Sequence, residues 1–272
     1  MLVQAIRSLL FYLLYLGQTA VLAILVGLDA KLRGRTGFGW AVARYWAACN
    51  LFLLRWVVGI RSDVKGMENI PDGPCIIAAK HMSDWDIFAI LPHTRRPAFI
   101  AKKELMDIPF FGWAARVFDT IRIDRSLGGE AIPAMTEEAR AALARGCRIV
   151  IFPEGTRKAA LAPPDYRFGT ARLYAELGVP VVPVALDSGL YWGRRSLVLW
   201  PGTARARFLP PIAPGLPAEA FHAALAAAIE GETGRLILGA YERGLASPIP
   251  PEMRERLEAL RAQLSAENTT TS

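Results

Sequence analysis

The chain has 272 residues, of which 53% are hydrophobic and 21% are charged, with a formal net charge of +7. This length can bury one sizeable core, and no Ser/Gly-rich or Pro-rich linker divides it into separate halves. The absence of a basic block with interleaved aromatic residues argues against nucleic acid as a partner, and the three cysteines form no CxxC pair that would indicate a metal site. The positive charge, beside an oily N-terminus, favours contact with lipid phosphates.

The N-terminal residues form the most apolar part of the chain. Residues 8–28 contain no charge, and about 21 residues at a rise of about 1.5 Å span roughly the 30 Å hydrocarbon core of a bilayer. A second oily stretch, residues 38–60, carries Arg44, Asn50 and Arg55, which favours a helix at the level of the lipid headgroups. Two arrangements remain open: a two-helix hairpin in one leaflet, or one transmembrane span followed by a core helix.

After residue 66 short β-branched runs alternate with helical periods, a pattern typical of an α/β domain. We predict membrane-associating helices over residues 1–62, an α/β domain over 63–246, and a C-terminal amphipathic helix and tail over 247–272. Strands are predicted at residues 75–79, 98–101, 121–124, 148–152 and 181–186. Helices are predicted at residues 83–91, 110–117, 129–145, 169–177, 217–243 and 251–266, followed by a frayed tail at 267–272.

The most informative local pattern is His81 followed five residues later by Asp86, where a predicted strand passes into a helix. Residues five apart differ by about 140° on a helix and face opposite sides of a strand, so the two side chains meet only across a helix start. Ser83 is a good N-cap, which leaves His81 outside the helix and puts Asp86 in its first turn. Asp86 would then orient His81, whose other ring nitrogen takes a proton from a substrate hydroxyl.

The same letters fit a structural interpretation. In a capping box, Asp86 would cap the backbone amide of Ser83, and His81 would be a polar residue at a strand end. In an arbitrary protein, a capping box is the commoner explanation of a histidine followed five residues later by an aspartate at a helix start. A serine triad is also conceivable, but the sequence has no GxSxG elbow, and His93 and His222 have no evident partners.

Residues 80–86 read KHMSDWD and resemble the lysophosphatidic acid acyltransferases, the 1-acylglycerol-3-phosphate O-acyltransferase family with its H-x4-D motif. Three further blocks agree in order and spacing. They are AKKELMDIPFFGW at residues 101–113, leading to Ile123-Asp124-Arg125, then IFPEGTR at residues 151–157 and VPVVPV at residues 179–184. Four ordered blocks, spanning about residues 75 to 190, form a specific signal.

The resemblance implies an α/β fold with a mixed sheet flanked by helices, the glycerolipid acyltransferase fold. It implies that His81 deprotonates the sn-2 hydroxyl of 1-acyl-sn-glycerol 3-phosphate, which attacks the thioester of acyl-CoA or an acyl-acyl carrier protein directly and gives phosphatidic acid. Neither an acyl-enzyme nor a metal or other cofactor is then needed. The expected partners are the two substrates, membrane lipid and, as a candidate, acyl carrier protein. The expected location is a bacterial-type inner membrane, with the active site on the cytoplasmic face.

The family assigns phosphate recognition to basic residues of the second and third blocks. In this sequence these residues are Lys102 or Lys103, Arg125 and Arg157. Arginine suits the role because its planar guanidinium grips phosphate oxygens in a bidentate manner. Without the motifs, these residues would more often be solvated surface charges.

The third block also contains a Pro-Glu-Gly turn after a strand. Because a buried strand ends in this turn, Glu154 and the backbone amides that follow it, at Gly155 and Thr156, are candidates to line the acceptor site, where Gly155 would free backbone amides to approach an anion. A lone turn of this kind is usually only a turn. Arg122, Lys158 and Arg167 depart from the family pattern, so the acceptor headgroup stays open, and Arg122 and Arg167 would suit a larger or more anionic group.

Other functions remain consistent with the sequence. The same chemistry would serve a lyso-ornithine lipid or the remodelling of a lysophospholipid. A non-catalytic, membrane-tethered binder of anionic lipid would need the oily N-terminus and basic face but neither His81 nor Asp86. A lipid hydrolase would use water as the acceptor. No linear motif sets the acyl-chain length, which depends on the depth of an apolar tunnel.

Overall fold

The computed structural model describes residues 1–34, 37–108 and 111–270. In this part of the chain, one sheet has seven strands: β1 (Ile60–Lys65), β2 (Ile76–Ala79), β3 (Pro97–Lys102), β4 (Ile121–Ile123), β5 (Arg148–Ile151), β6 (Val181–Leu186) and β7 (Gly202–Phe208). Their order across the sheet is β1-β7-β6-β2-β5-β3-β4. Neighbouring strands are parallel except for β6 and β7, so the sheet is mixed and the predicted α/β class is confirmed.

Helices cover both faces of the sheet. They are α1 (Leu2–Arg33), α2 (Phe38–Leu53), α3 (Trp85–Ile90), α4 (Phe111–Val117), α5 (Ala131–Ala144), α6 (Gly169–Leu177), α7 (Ala218–Glu242) and α8 (Pro251–Thr270). Because side chains alternate along a strand, Ile76 and Ala78 join the core cluster of α5, α6 and the first half of α7. Ile77 and Ala79 join the opposite cluster, which contains residues of α1, α2 and α3. Burial on both faces explains why the central strands read as continuous apolar runs.

Helix α1 has two different sides. On one side Phe11 is fully buried, with its ring edge against Trp192 at a centroid distance of 5.4 Å. Gln4, also on α1, donates to the carbonyl oxygens of Val58 and Leu199. The rest of the helix exposes leucines along its length. Within an apolar stretch of 18 residues of this helix, only 11% is buried. It is long and apolar enough to cross a membrane, and its exposed apolar side is consistent with the lipid-facing surface that the sequence predicts.

Several boundaries differ from the prediction. The expected second helix over residues 38–60 ends at Leu53, and a π-helical turn at Leu54–Val58 follows it. Gly59, at φ 95°, reverses the chain into β1, because glycine adopts the left-handed region without steric cost. Strands β1 and β7 had not been predicted. The frayed tail was wrong for residues 267–270, where α8 continues to Thr270, and residues 271–272 lie outside the described residues.

Candidate active site

The parallel strands β6, β2, β5, β3 and β4 are neighbours, so their carboxyl ends meet at one edge of the sheet. His81 follows β2 at this edge, and the Pro-Glu-Gly turn follows β5. Lys103 follows β3, Asp124 follows β4, and Ser188 follows β6. The four sequence blocks, which are far apart in the chain, are therefore gathered at one site.

His81 and Asp86 are hydrogen-bonded, with 2.9 Å between His81 Nδ1 and Asp86 Oδ2. His81 lies in the loop before α3, and Asp86 lies in the first turn of that helix, so the chain folds back between them. The helix begins at Trp85 with Asp84 as its N-cap, which corrects the predicted N-cap at Ser83. The predicted meeting of the pair across a helix start is nevertheless present.

The Asp86 carboxylate is fully buried and accepts hydrogen bonds on both oxygens. Oδ2 accepts from the backbone amides of Met82 at 2.7 Å and Ser83 at 2.9 Å, besides its bond to His81. Oδ1 accepts from the hydroxyls of Ser83 at 3.3 Å and Ser188 at 2.5 Å. The capping interaction and the pairing with His81 are therefore not alternatives, because one carboxylate makes both. The donors fix its position and satisfy a charge that burial would otherwise penalise.

The His81 imidazole is held from a second direction. Its ring stacks on Phe152, with centroids 3.9 Å apart and planes inclined by 17°. The side chain retains 15% exposure, and no residue in the described part of the chain bonds its Nε2 atom. With Nδ1 occupied by Asp86, this open nitrogen can exchange a proton with a ligand.

Glu154 of the Pro-Glu-Gly turn points into a buried ionic cluster. Lys80, which is 2% exposed and directly precedes His81, contacts Glu154 Oε1 at 3.1 Å and Glu230 Oε1 at 2.6 Å. The Tyr166 hydroxyl donates to the same Glu230 oxygen at 2.7 Å. This cluster joins the ends of β2 and β5 to α7. Sequence reasoning missed Lys80 and Glu230, and no local pattern marked Glu230 within an Ala-rich helix.

The remainder of the third block lies closer to solvent. Gly155 has φ 66°, and its amide donates to the carbonyl of Phe152 at 2.8 Å, so this amide belongs to the turn. Thr156 is exposed. Arg157 contacts Asp84 at 3.0 Å; burial raises the pKa of Asp84, and the Arg157 charge partly opposes that rise. Arg157 therefore lies beside the loop that joins His81 to Asp86, with 41% of its side chain exposed.

The second block places two lysines in different situations. Lys102 is exposed and has no ion-pair partner among the residues that the structure describes. Lys103 pairs with Asp124, and this contact holds the pKa of Asp124 at about 2. The side chain of Arg125 lies outside the described residues.

All three residues that depart from the family pattern are paired with acidic side chains of the protein, and Lys158 contacts Asp165 at 3.0 Å. Arg122 donates from its side chain to Glu138 on α5, with contacts of 2.7 and 3.2 Å. Arg167 contacts Asp165 at 3.0 Å. These intramolecular contacts make both guanidinium groups less available for a larger anionic headgroup.

Comparison with known proteins agrees with this site. Residues 61–187 match a family model described as acyltransferase. Over 204 residues the chain is 36% identical to a 1-acyl-sn-glycerol-3-phosphate acyltransferase of Pseudomonas aeruginosa, a match that covers 74% of this chain and 78% of the relative. The chain belongs to the acyltransferase family. The enzyme is also 30% identical over 203 residues to the human 1-acyl-sn-glycerol-3-phosphate acyltransferase alpha, covering 73% of this chain and 69% of that protein.

The fold is shared with a solved structure. The crystal structure of the 1-acyl-sn-glycerophosphate (LPA) acyltransferase from Thermotoga maritima superposes with a TM-score of 0.71 at 24% identity. The match covers 86% of this enzyme and 97% of that chain. The family resemblance predicted from the four blocks is thus confirmed, as is the mixed sheet flanked by helices.

Proposed function

We propose that the enzyme transfers a fatty acyl group from a thioester donor to the sn-2 hydroxyl of 1-acyl-sn-glycerol 3-phosphate, giving phosphatidic acid. The observation that carries this proposal is the His81–Asp86 pair, with Nδ1 bonded to the carboxylate and Nε2 open. The names of the relatives from Pseudomonas aeruginosa and human support the choice of acceptor.

In the proposed reaction, Nε2 of His81 accepts the proton of the acceptor hydroxyl while its oxygen attacks the thioester carbonyl carbon. Asp86 stabilises the resulting imidazolium and keeps the ring in the productive tautomer. The tetrahedral intermediate then collapses, the carbon–sulfur bond breaks, and the imidazolium returns its proton to the departing thiolate. No acyl-enzyme forms, because thiolate leaves readily and the substrate's own hydroxyl is the nucleophile.

For the acceptor phosphate we propose Lys102, Arg125 and Arg157 as ligands, with Lys103 and Thr156 at the rim. Arg157 contacts Asp84 next to the catalytic loop, so a phosphate bound there would lie near His81. Glu154 and Gly155 would act by shaping the turn that carries Arg157. We also propose that α1 and α2 hold this edge against the cytoplasmic face of a bacterial-type inner membrane, either as a hairpin in one leaflet or with α1 spanning it.

The test is a matrix of acceptors and donors assayed with purified wild type and His81→Ala. Acceptors are 1-acyl-sn-glycerol 3-phosphate, other lysophospholipids and a lyso-ornithine lipid; donors are acyl-CoA and an acyl-acyl carrier protein. We expect the highest kcat/KM with the phosphomonoester acceptor, and a loss of about 10²–10⁴-fold or more in His81→Ala with lipid binding retained. Preference for an acceptor without phosphate would refute the substrate, free fatty acid as the main product would indicate a hydrolase, and near wild-type turnover in His81→Ala would refute the base.

A further inference from the structure

A second concave site lies at the opposite end of the sheet from His81. The cavity has a volume of about 230 Å³ and is lined by residues that precede three adjacent parallel strands, β2, β5 and β3. Its walls combine two glycine-containing turns with four arginines: residues 72–74, Gly146, Arg95, Arg96, Arg145 and Arg148. None of these residues belongs to the blocks that form the catalytic edge.

The described residues around this cavity carry a surplus of positive charge. Four guanidinium groups lie near two carboxylates, Asp72 in the wall and the buried Asp119, which leaves an excess of two positive charges among these described residues. Asp119 accepts from Arg145 Nε at 2.9 Å and lies 3.5 Å from Arg96. Arg95 is exposed and has no partner in the described part of the chain. A concave surface with surplus arginine charge attracts and concentrates anions.

The Arg96 side chain carries one unsatisfied donor. Its Nε atom is buried and has no hydrogen-bond acceptor within the described residues, although a buried donor is normally satisfied. An acceptor supplied by a ligand would satisfy this donor.

We propose that this cavity is a binding site for a phosphate-class anion, separate from the catalytic edge. Arg95 supplies an uncommitted guanidinium, and Arg148 keeps free donors, since within the described residues only its Nη2 atom is engaged, with the carbonyls of Pro71 and Asp72. The turn at Gly146 has φ 77°, and no atom lies within 4 Å of the position a Cβ would take, so a ligand can approach the backbone. Guanidinium forks match phosphate oxygens better than any other side chain.

The experiment follows hydrogen exchange by mass spectrometry in the full-length enzyme in nanodiscs of phosphatidylcholine. Inorganic phosphate is titrated against chloride at matched ionic strength, and the peptides covering residues 71–75 and 145–148 are followed. We expect phosphate to slow exchange in these peptides.

Arg95→Ala should weaken the apparent affinity for phosphate about tenfold or more, the effect of one lost charge-assisted hydrogen bond. Arg254→Ala, which removes an exposed arginine on α8, is the matched control and should change nothing. Asp72→Asn removes a negative charge from the wall and should strengthen binding.

A second arm identifies the source of the phosphate. Nanodiscs that contain phosphatidic acid are compared with phosphatidylcholine nanodiscs, both without free phosphate. Slowed exchange in this arm assigns the site to a lipid headgroup, and slowed exchange only with inorganic phosphate assigns it to a free anion. The proposal is overturned if neither arm slows exchange in these peptides or if chloride acts equally. It is also overturned if protection is confined to residues 80–88 and 152–158 at the catalytic edge, or if Arg95→Ala binds like wild type.

Discussion

The hydroxyl of Ser188 donates to Oδ1 of Asp86 at 2.5 Å, across 102 residues of sequence. This is the carboxylate oxygen that does not meet His81, and the Ser83 hydroxyl lies 3.3 Å from it. Ser188 lies two residues after β6, the strand that contains most of the fourth block, so this strand places a side chain on the carboxylate that bonds His81. The position of the Asp86 carboxylate therefore depends on the ends of two strands, β2 and β6, which are neighbours in the sheet.

We expect Ser188→Ala to lower kcat by less than His81→Ala does, with little change in the KM of the acyl donor. Removing one donor concentrates negative charge on Asp86, strengthens its attraction for protonated His81, and so shifts the acid limb of the kcat/KM profile to higher pH. The pH dependence of kcat/KM for wild type and Ser188→Ala measures this shift. A lower kcat with an unmoved acid limb would mean that Ser188 has only a structural role.

Asp86→Asn should reduce kcat about as much as His81→Ala, on the order of 10²–10⁴-fold. A neutral amide does not stabilise the imidazolium as a carboxylate does. It also cannot accept all five hydrogen bonds made to Asp86, because its NH₂ group would face a hydroxyl or a backbone amide hydrogen. Thermal unfolding separates the two effects, since Asp86→Asn should lower Tm and His81→Ala should lower it less. Retention of wild-type kcat by Asp86→Asn would contradict the orienting role.

The buried cluster around Lys80 predicts a large effect on stability. Lys80→Met leaves Glu154 and Glu230 facing each other without the cation, and we expect a cost of about 3–5 kcal/mol in the free energy of unfolding. Glu230→Gln should cost less, because Glu154 still pairs with Lys80. Glu232→Gln, which breaks a surface pair with Arg235 on the same helix, should change the free energy by about 1 kcal/mol or less. Denaturant unfolding tests the order, and equal losses in all three variants would argue against the cluster.

Alanine substitutions of Lys102 and Lys103 should raise the KM for the acceptor to different extents. Lys103 is already paired with Asp124, whereas Lys102 has no ion-pair partner in the part of the chain that the structure describes. We expect Lys102→Ala to raise the KM for the phosphate-bearing acceptor about tenfold with kcat little changed. This is the result expected when the lost contact binds the ground state and the transition state equally. Lys103→Ala should raise it less. Steady-state kinetics with varied acceptor measures both, and the reverse order would exchange their roles.

Asp187 predicts a pH-dependent stability. Burial raises the pKa of its carboxyl to about 7, although Arg205 opposes the rise. Between its ordinary pKa near 3.9 and about 7, the folded state keeps a proton that the unfolded state has lost. The contribution of Asp187 to the free energy of unfolding therefore falls as the pH rises from about 3.9 to about 7, by up to about 1.4 kcal/mol per pH unit. Above about pH 7 this contribution no longer changes with pH. Between about pH 5 and pH 7 the unfolding midpoint of wild type should fall relative to that of Asp187→Asn, which lacks the titrating carboxyl. Parallel midpoint curves would contradict the raised pKa of Asp187.

Much of the central sheet was predictable from the sequence. Strand β6 and helix α6 match their predicted bounds, because each is a continuous run with a single period and clear flanking glycines or prolines. Strands β1 and β7 were missed, since they lie toward one edge and alternate apolar with charged residues that pair across the ladder, as Asp63 does with Arg207. Polar side chains at the sheet edge weaken the apolar signal on which strand prediction rests.

The sequence by itself determined the family, the membrane-facing helix and the identity of the His81–Asp86 pair, because these depend on local composition and on short ordered motifs. It left open whether Asp86 caps a helix or orients a base, since residues 81–86 fit both a capping box between Ser83 and Asp86 and a pairing of His81 with Asp86. Only the tertiary structure showed that one carboxylate accepts from the backbone amides before the helix and also bonds His81, that Ser188 bonds the same carboxylate, and that Lys80 pairs with Glu154 and Glu230. These contacts join residues 74 to 150 positions apart, and such contacts arise from strand order and helix packing, which leave no periodic trace in the sequence.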